Sequence, residues 1–328
     1  MQIGVLGNRE SWYVADIDRA GRERGHVTQR IDFRSLTASE GFAEMPIIQG
    51  VAGAGATIGS EAPERSQTGA SLRSIPGHTE LVSQCQLTDI DALIVRTMPP
   101  GSLEQVVFRM DVLARLETAG VLVVNGPKAI ECAVDKYLAT SKLAAEGLPV
   151  PRTIVCQDTE AAMEAFDALG GDVVVKPLFG AEGRGIVRVS DPDLAFRTFR
   201  TLERIQSVLY LQQFIEHEGY DIRVLVLDGE IIGAFKRRNT SDFRTNMARS
   251  ATGEVHDLTD NERDMAVRAV RVTDATFGGV DLLYDRSGEC YVLEVNAVPG
   301  WKAFARVTGI DVAAKLIEWL SLKTAAKR

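Results

Sequence analysis

The stretch from Gly279 to Gly300 constrains the fold of this 328-residue chain more than any other part of the sequence. Two short apolar runs flank the polar turn 285–288, a pattern that predicts a β-hairpin or two adjacent strands. Glu294 and Asn296 are two residues apart, so on a strand they face the same side, and a paired strand can place Asp281 beside them. Three oxygen ligands on one sheet face suit Mg²⁺, although a polar strand face wetted by solvent gives the same pattern.

A second motif lies earlier in the chain, where the apolar run Val173–Val175 ends in a lysine, Lys176. Gly180, Gly183 and Gly185 follow it. Glycines allow a loop to approach a ligand closely, so that its backbone N–H groups can hold phosphates. A glycine-rich hairpin with an exposed lysine is the alternative. The order of a strand lysine, a glycine loop and then the metal-type pattern favours a nucleotide site.

Two further positions carry open alternatives. Asp221 begins a predicted strand, where it is a candidate for a hydrogen bond to a ribose or for an ion pair with Arg223. Arg244 lies in the loop 240–246, after the basic cluster Lys236–Arg238. An arginine there is a candidate to stabilise negative charge on a transferring phosphoryl group, and a solvated charged loop is the alternative.

Composition excludes several classes of function. The formal net charge is −8 and no long basic block occurs, which argues against nucleic acid as a partner. No apolar run approaches the ~18 residues of a membrane span, and Met1–Gly7 predicts a strand instead of a signal peptide. The four cysteines are scattered without a CxxC pair, as expected for free thiols. We therefore expect a cytoplasmic protein with no membrane partner.

The fold class expected from the order of predicted elements is α/β followed by α+β. Strands and helices alternate with short links up to about residue 127, which favours a parallel sheet. Residues 49–74 are rich in Gly and Ala and predict a mobile insertion, or a loop that a partner orders. In the second half, apolar runs joined by glycine turns, such as Asp228-Gly229, indicate antiparallel hairpins.

Five motifs, in this order and spacing, resemble those of the ATP-grasp superfamily, and within it the RimK-type alpha-L-glutamate ligases. They are VVVKPLFGAEGRGI, LQQFIEHEGYDIRVLVLDGEII, FKRRNTSDFRTN, GVDLL and LEVNAVPG. The resemblance covers roughly residues 125–320. It implies a Rossmann-like pre-ATP-grasp domain at 1–127, which matches in character only. It further implies an ATP-grasp N-terminal subdomain at 128–211 and a C-terminal subdomain with the metal site at 212–328.

The resemblance also implies roles for individual residues. ATP would lie between the two subdomains, and Mg²⁺ or Mn²⁺ would accompany it. The implied nucleotide-binding residues are Lys136, Lys176, Gly180, Gly183, Gly185, Gln213, Phe214, Asp221, Arg244, Thr245 and Asn246, with Lys176 and Arg244 also catalytic. The implied metal ligands are Asp281, Glu294 and Asn296.

The implied reaction is activation of a carboxylate by ATP to an acyl phosphate, followed by attack of an amine. The products are an amide, ADP and phosphate. L-glutamate is the expected amino acid, and the acceptor a small C1-carrier cofactor or a peptide. The alternatives are a ligase that uses another amino acid or a carrier protein, and a non-catalytic ATP-binding protein. Family members commonly form dimers or tetramers. Trp301 departs from the pattern, and it either stacks on an acceptor ring or packs at a helix start.

Overall fold

The computed structural model describes residues 1–40, 48–52, 83–180, 183–239 and 252–327, which form two compact units. Unit 1 comprises Met1–Pro127 and Asp311–Arg328, and unit 2 comprises Lys128–Ile310. The domain boundaries inferred from the sequence stay predictions. The last segment, however, was assigned from sequence to the C-terminal subdomain, whereas in the structure it packs with unit 1.

In chain order, the elements up to residue 124 are β1 (Gln2–Leu6), α1 (Trp12–Glu23), β2 (Val27–Ile31), β3 (Thr37–Ala38), β4 (Ile48–Ala52), β5 (Ser83–Gln86), β6 (Ala92–Val95), α2 (Leu103–Thr118) and β7 (Leu122–Val124). They continue with α3 (Pro127–Val134), α4 (Lys136–Ala145), β8 (Thr153–Cys156), α5 (Thr159–Ala168), β9 (Val173–Lys176), β10 (Val187–Val189), α6 (Pro192–Arg204), β11 (Leu209–Gln213), β12 (Tyr220–Leu227) and β13 (Glu230–Arg238). The last elements are β14 (Thr252–Val255), α7 (Asp260–Val272), β15 (Phe277–Tyr284), β16 (Cys290–Asn296), α8 (Lys302–Thr308) and α9 (Val312–Lys327).

Unit 1 is built on a sheet of order β3-β4-β2-β1-β6-β7, with β5 paired to β4. Strands β1, β2, β6 and β7 are parallel, as expected from the alternating pattern. Residues 49–52 of the predicted insertion at 49–74 belong to β4, and residues 53–74 lie outside the described residues. A capping box between Ser102 and Gln105 fixes the start of α2.

Unit 2 contains two antiparallel sheets, as the hairpin signals predicted. Their orders are β10-β9-β11-β8 and β14-β13-β12-β15-β16. Phe166 of α5 and Phe199 of α6 pack on the first sheet, in a core of their own. Met265 and Ala266 of α7 pack on the second. The last strand of the first sheet, β11, ends at Gln213. The subdomain boundary predicted after residue 211 lies within this strand.

Local chemistry explains where the site-bearing elements of unit 2 begin and turn. Asp135 caps α4 by accepting hydrogen bonds from the N–H groups of Tyr137 and Leu138, so Lys136 is the first residue of the helix. Asp228 and Gly229 both adopt positive φ, which matches the tight two-residue turn that joins β12 to β13. Within the described ranges, no helix is long and apolar enough to cross a membrane.

Candidate active site

One face of the five-stranded sheet carries the predicted site residues of β12, β15 and β16. Ile222, Val280 and Leu282 face the hydrophobic core under α7. Side chains alternate along a strand, so Asp221 and Asp281 project from the opposite face. This face is therefore the one available for chemistry.

The three predicted metal ligands share this face because β16 contains a β-bulge. Asp281 lies directly opposite Glu294, whereas the next pair is Leu282 with Val292, so Leu293 is the extra residue. Without the bulge, Asp281 would oppose Leu293 and Glu294 would turn toward the core. Asn296, two residues after Glu294, shares its side. The sequence-based expectation for this geometry is thus met.

A second bulge brings Arg237 opposite Asp221. The pairing of β12 with β13 shifts after Val226–Ile231, and the next pair is Leu225 with Gly233. Ile232 is therefore the extra residue. In an unbulged hairpin, Lys236 would face Asp221 instead.

Asp221 and Asp281 are both bound by arginines. Asp221 is buried and accepts two hydrogen bonds from Arg237, with a Nε–Oδ1 distance of 2.7 Å. Arg237 also lies 3.0 Å from Asp281 Oδ1, and Arg223 Nη2 donates to Asp281 Oδ2 at 2.9 Å. The suggested alternative of an ion pair between Asp221 and Arg223 is thus replaced by two other pairs. Burial alone would raise the pKa of Asp281, but the two arginines hold it below its ordinary value.

Two lysines and Glu294 form the neighbouring part of the site. Burial lowers the pKa of Lys176 to about 8, although Glu294 acts in the opposite direction. Burial also lowers the pKa of Lys136. The pKa of Glu294 is raised, first by burial and then by the negative charge of Asp281. Asp281 and Glu294 are therefore both predicted metal ligands, but their pKa values are shifted in opposite directions.

Lys136 holds the entry of the glycine loop. Its ammonium group donates to the carbonyl oxygen of Gly180 at 2.9 Å, and its backbone N–H donates to that of Leu178. Gly183 and Gly185 have φ values of 69° and 74°, a region that side chains other than glycine rarely adopt. The glycines of the predicted loop are thus needed for its backbone path.

Six of the eleven predicted nucleotide residues line two adjoining cavities between the sheets of unit 2. The larger, about 140 Å³, is lined by Lys176, Gln213, Phe214, Asp221, Asp281 and Glu294, among others. The smaller, about 30 Å³, is lined by Lys136, Thr140, Tyr210 and again by Lys176 and Glu294. Lys176 and Glu294 therefore lie where the two cavities meet.

Comparison with known proteins explains this combination of lysines, glycines and carboxylates. The RimK-like ATP-grasp domain matches residues 133–320, more than half of the chain. The chain belongs to the RimK-like ATP-grasp family. It is 36% identical over 262 residues to the tetrahydromethanopterin:alpha-L-glutamate ligase of Methanosarcina acetivorans, covering 71% of this chain and 81% of that one. It is 33% identical over 211 residues to the ribosomal protein bS6–L-glutamate ligase of Escherichia coli, covering 63% of this chain and 70% of the other.

Solved structures show the same fold. The ATP-grasp ligase PsnB, in complex with minimal precursor, Mg and ADP, superposes with a TM-score of 0.69 at 23% identity. The match covers 98% of this chain and 97% of PsnB. The predicted family and the predicted fold class, an ATP-grasp fold with an additional N-terminal domain, are both confirmed.

In this RimK-like ATP-grasp chain, the backbone N–H groups of the predicted nucleotide-binding residues Gln213 and Phe214 are already hydrogen-bonded. The N–H of Gln213 donates to the carbonyl of Arg152 at 2.8 Å, and that of Phe214 donates to Asp172 at 3.0 Å. Arg152 also donates to the Gln213 side chain, and the Arg188 guanidinium covers the Phe214 ring at 3.5 Å from its centroid. Adenine would therefore have to be recognised through groups other than these two N–H donors.

The remaining predicted positions divide into two kinds. Arg244, Thr245 and Asn246 lie outside the described residues, so their roles stay predictions. Trp301 is fully buried and packs against Phe277 at a ring-centroid distance of 5.8 Å. Of the two interpretations of Trp301, packing at the start of α8 is the correct one.

The donor set fits a hard cation. Asp281 and Glu294 supply carboxylates, and Asn296 supplies an amide oxygen, which are ligand types that Mg²⁺ accepts. The amide nitrogen of Asn296 is buried and has no hydrogen-bond partner among the described residues. No group of three His, Cys, Asp or Glu side chains suited to a metal occurs in those residues. The amide oxygen of Asn296 and the phosphate oxygens of a nucleotide would therefore have to complete the coordination shell of the metal ion.

Sequence reasoning missed three residues that shape this site. Gln212 is hydrogen-bonded to Lys176, and Arg223 and Arg237 bind the two aspartates. The alternation of Asp221 and Arg223 along β12 could have placed Arg223 on the site face. No comparable signal identified Arg237, since its side depends on the bulge.

Proposed function

We propose that the protein is an ATP- and Mg²⁺-dependent carboxylate–amine ligase that adds L-glutamate to a small cofactor of the C1-carrier type. Membership of the RimK-like ATP-grasp family makes it a ligase that forms C–N bonds. The observation that carries the site assignment is the meeting of Lys176 and Glu294 in two adjoining cavities, beside Asp281. The likeness to a tetrahydromethanopterin ligase supports the cofactor acceptor. The likeness to the bS6 ligase keeps a protein or peptide acceptor as the second candidate.

The chemistry has two steps. An acceptor carboxylate oxygen attacks the γ-phosphorus of ATP, the bond to the β,γ-bridging oxygen breaks, and ADP leaves an acyl phosphate. The amine of L-glutamate then attacks the acyl carbon, loses a proton, and expels phosphate to give the amide. Every atom of ATP, acceptor and glutamate is thereby accounted for.

The residues of the site support these steps by position and charge. Lys176 and Lys136 supply positive charge for the phosphates, and Asp281, Glu294 and Asn296 would hold the metal ion. Bound Mg²⁺ would neutralise the phosphate oxygens during transfer, and Mn²⁺, which accepts the same oxygen ligands, is the alternative ion. Arg223 and Arg237 keep Asp281 ionised and oriented. The glycine loop would exclude water from the acyl phosphate.

A cytoplasmic location and a dimeric or tetrameric state remain predictions.

Nucleotide product analysis tests the proposal. The purified protein is incubated with ATP, Mg²⁺, L-glutamate and a protein-free cell extract, and ADP, AMP and adduct masses are followed by mass spectrometry. We expect ADP only when glutamate is present, together with a metabolite that gains one glutamyl residue. Release of AMP would overturn the acyl-phosphate mechanism. Absence of any nucleotide consumption, with each amino acid tried in turn, would favour a non-catalytic ATP-binding protein.

A further inference from the structure

The ammonium group of Lys176 is held by a buried amide. Lys176 Nζ donates to Gln212 Oε1 at 2.6 Å, from the end of β9 to the neighbouring strand β11. The side chain of Gln212 is only 3% exposed. A lysine side chain has four rotatable bonds and no preferred direction of its own. A buried acceptor at this distance therefore restricts where the charge points.

The orientation of the Gln212 amide is itself fixed. Its Nε2 donates to Thr153 Oγ1 at 3.0 Å and to the hydroxyl of Tyr210 at 3.2 Å. A flipped amide would point its NH₂ group at the Lys176 ammonium, leaving two donors face to face. The two hydroxyls and the lysine thus select the same orientation, with Oε1 toward Lys176.

The hydrogen-bonded chain continues to the helix that carries the second lysine. The hydroxyl of Tyr210 lies 2.8 Å from Thr140 Oγ1. Thr140 is four residues after Lys136 on α4, so the two side chains lie on the same face of the helix. Lys136, Thr140, Tyr210 and Lys176 all line the smaller cavity. Gln212 and Tyr210 therefore connect the two elements that supply the lysines.

We propose that Gln212 is a positioning residue, which aims the Lys176 ammonium group at the nucleotide phosphates and, through Tyr210 and Thr140, fixes its spacing from Lys136. The inference rests on the proposed function, because that function assigns Lys176 to the phosphates. A neutral amide suits this task better than a carboxylate would. It orients the ammonium group without cancelling the charge that a phosphate requires.

Binding measurements on the full-length protein test the proposal. The dissociation constants of ATP and of adenosine are measured for the wild type and for Gln212→Met, which keeps the side-chain volume but removes the acceptor. We expect ATP affinity to fall roughly tenfold to a hundredfold, the range for loss of a hydrogen bond to a charged group. Adenosine affinity should change less than about twofold, because adenosine has no phosphate for Lys176 to contact.

A double-mutant cycle shows whether Gln212 acts through the lysine. If it does, Gln212→Met has little further effect on ATP affinity in a Lys176→Met background. Equal losses in both backgrounds, or equal losses of ATP and adenosine, would instead mean a packing role and would overturn the proposal.

Tyr210→Phe provides a second variant if Gln212→Met does not fold, since it removes a single oxygen atom. We expect it to weaken ATP binding several-fold, as for the loss of one neutral hydrogen bond in the chain. Tyr291→Phe is the matched control, because the Tyr291 hydroxyl donates to Glu289 on the surface and, within the described part of the chain, to no other residue. Unchanged ATP affinity in Tyr210→Phe would contradict the continuation of the chain to α4. These binding assays need no acceptor, so the two proposals can fail separately. A wild type that binds ATP but forms no product in the nucleotide product analysis would contradict the ligase proposal and leave the role of Gln212 testable.

Discussion

Asp281 and Glu294 face each other across two strands, yet their surroundings differ. Asp281 is held between Arg223 and Arg237, and these cations keep its pKa low despite burial. For Glu294 the nearby cations do not offset burial and the negative charge of Asp281, so its pKa is raised. At the scale of single residues, the fold stabilises the charged form of Asp281, whereas the charged form of Glu294 is an electrostatic cost to folding.

Neutralising the two carboxylates should therefore have different effects on stability. Asp281→Asn leaves Arg223 and part of Arg237 uncompensated, so we expect a loss on the order of 3 kcal/mol in unfolding free energy. Glu294→Gln removes a charge that burial disfavours, so its stability should be unchanged or slightly higher. Both variants should lose Mg²⁺-dependent turnover by at least about a hundredfold. Chemical denaturation and product analysis measure the two effects. Equal destabilisation, or near-normal turnover in either variant, would contradict the assignment.

The lowered pKa of Lys176 predicts a pH effect on the nucleotide-free protein. Its pKa is about 8 in the folded state against an ordinary value of 10.5. Between these values the unfolded chain binds a proton that the folded chain lacks, so stability rises with pH. The wild type should therefore gain up to about 3 kcal/mol relative to Lys176→Met from pH 7.5 to pH 10.5. Urea unfolding of both proteins across this range measures the difference. A constant difference would show that the lysine titrates normally.

At the scale of elements, two β-bulges decide which charges meet. The extra residue Ile232 puts Arg237 opposite Asp221, and the extra residue Leu293 puts Glu294 opposite Asp281. Bulges are frequent next to active sites because they re-aim side chains without changing the sheet. In this protein, the pairing of Asp221 with Arg237 depends on one bulge, and the pairing of Asp281 with Glu294 depends on the other.

Register arithmetic gives a matched pair of variants. Deleting Ile232 removes the bulge but keeps Arg237 opposite Asp221, so we expect ATP affinity within about tenfold of the wild type. Inserting one alanine between Gly233 and Ala234 moves Lys236 opposite Asp221 and moves Arg237 opposite Tyr220, a position that the exposed Arg238 occupies in the wild type. That variant should be destabilised by several kcal/mol, on the order expected for breaking a buried ion pair, because Asp281 loses Arg237 as a partner. Thermal unfolding and ATP binding distinguish them. Similar behaviour of the two variants would show that the pairing adapts to the change.

These bulges also mark the limit of what the sequence could predict. The period-two alternation places Glu294 and Asn296 on one side of any strand, whatever its partner. The two-residue turn at Asp228-Gly229 likewise fixes where β12 and β13 meet. The partner of Asp221 was not predictable, because the choice between Lys236 and Arg237 depends on a bulge that packing over the whole sheet determines. The hydrogen bond from Lys176 to Gln212 was hidden for a related reason, since it joins strands whose pairing the sequence does not specify.

At the scale of the whole molecule, the chain returns to its first unit after completing the second. The N-terminal side of α9 contributes Val312, Leu316 and Ile317, all fully buried. Arg19 Nη2 of α1 lies 2.9 Å from Asp311 Oδ2, and His26 Nε2 lies 2.9 Å from Ser321 Oγ. Helix α9 packs against α1 of unit 1, a long-range contact that the sequence alone does not specify. This is why a division by motif assigned the segment to the C-terminal subdomain.

Removing α9 should therefore damage unit 1 and spare unit 2. A chain that ends at Ile310 exposes the part of the unit 1 core that α9 covers. Burial of apolar surface contributes ~25 cal/mol per Å², and the unfolding free energy of an ordinary domain is only ~5–15 kcal/mol. Losing the burial of several large side chains is therefore enough to unfold unit 1. We expect hydrogen exchange to become fast in β1, β2, β6 and β7 and to stay slow in β12, β15 and β16. Leu322→Ala, at a site that is 67% exposed on the same helix, is the control and should leave both units protected. Loss of protection in β12–β16 with unit 1 intact would instead support the boundaries inferred from the motifs.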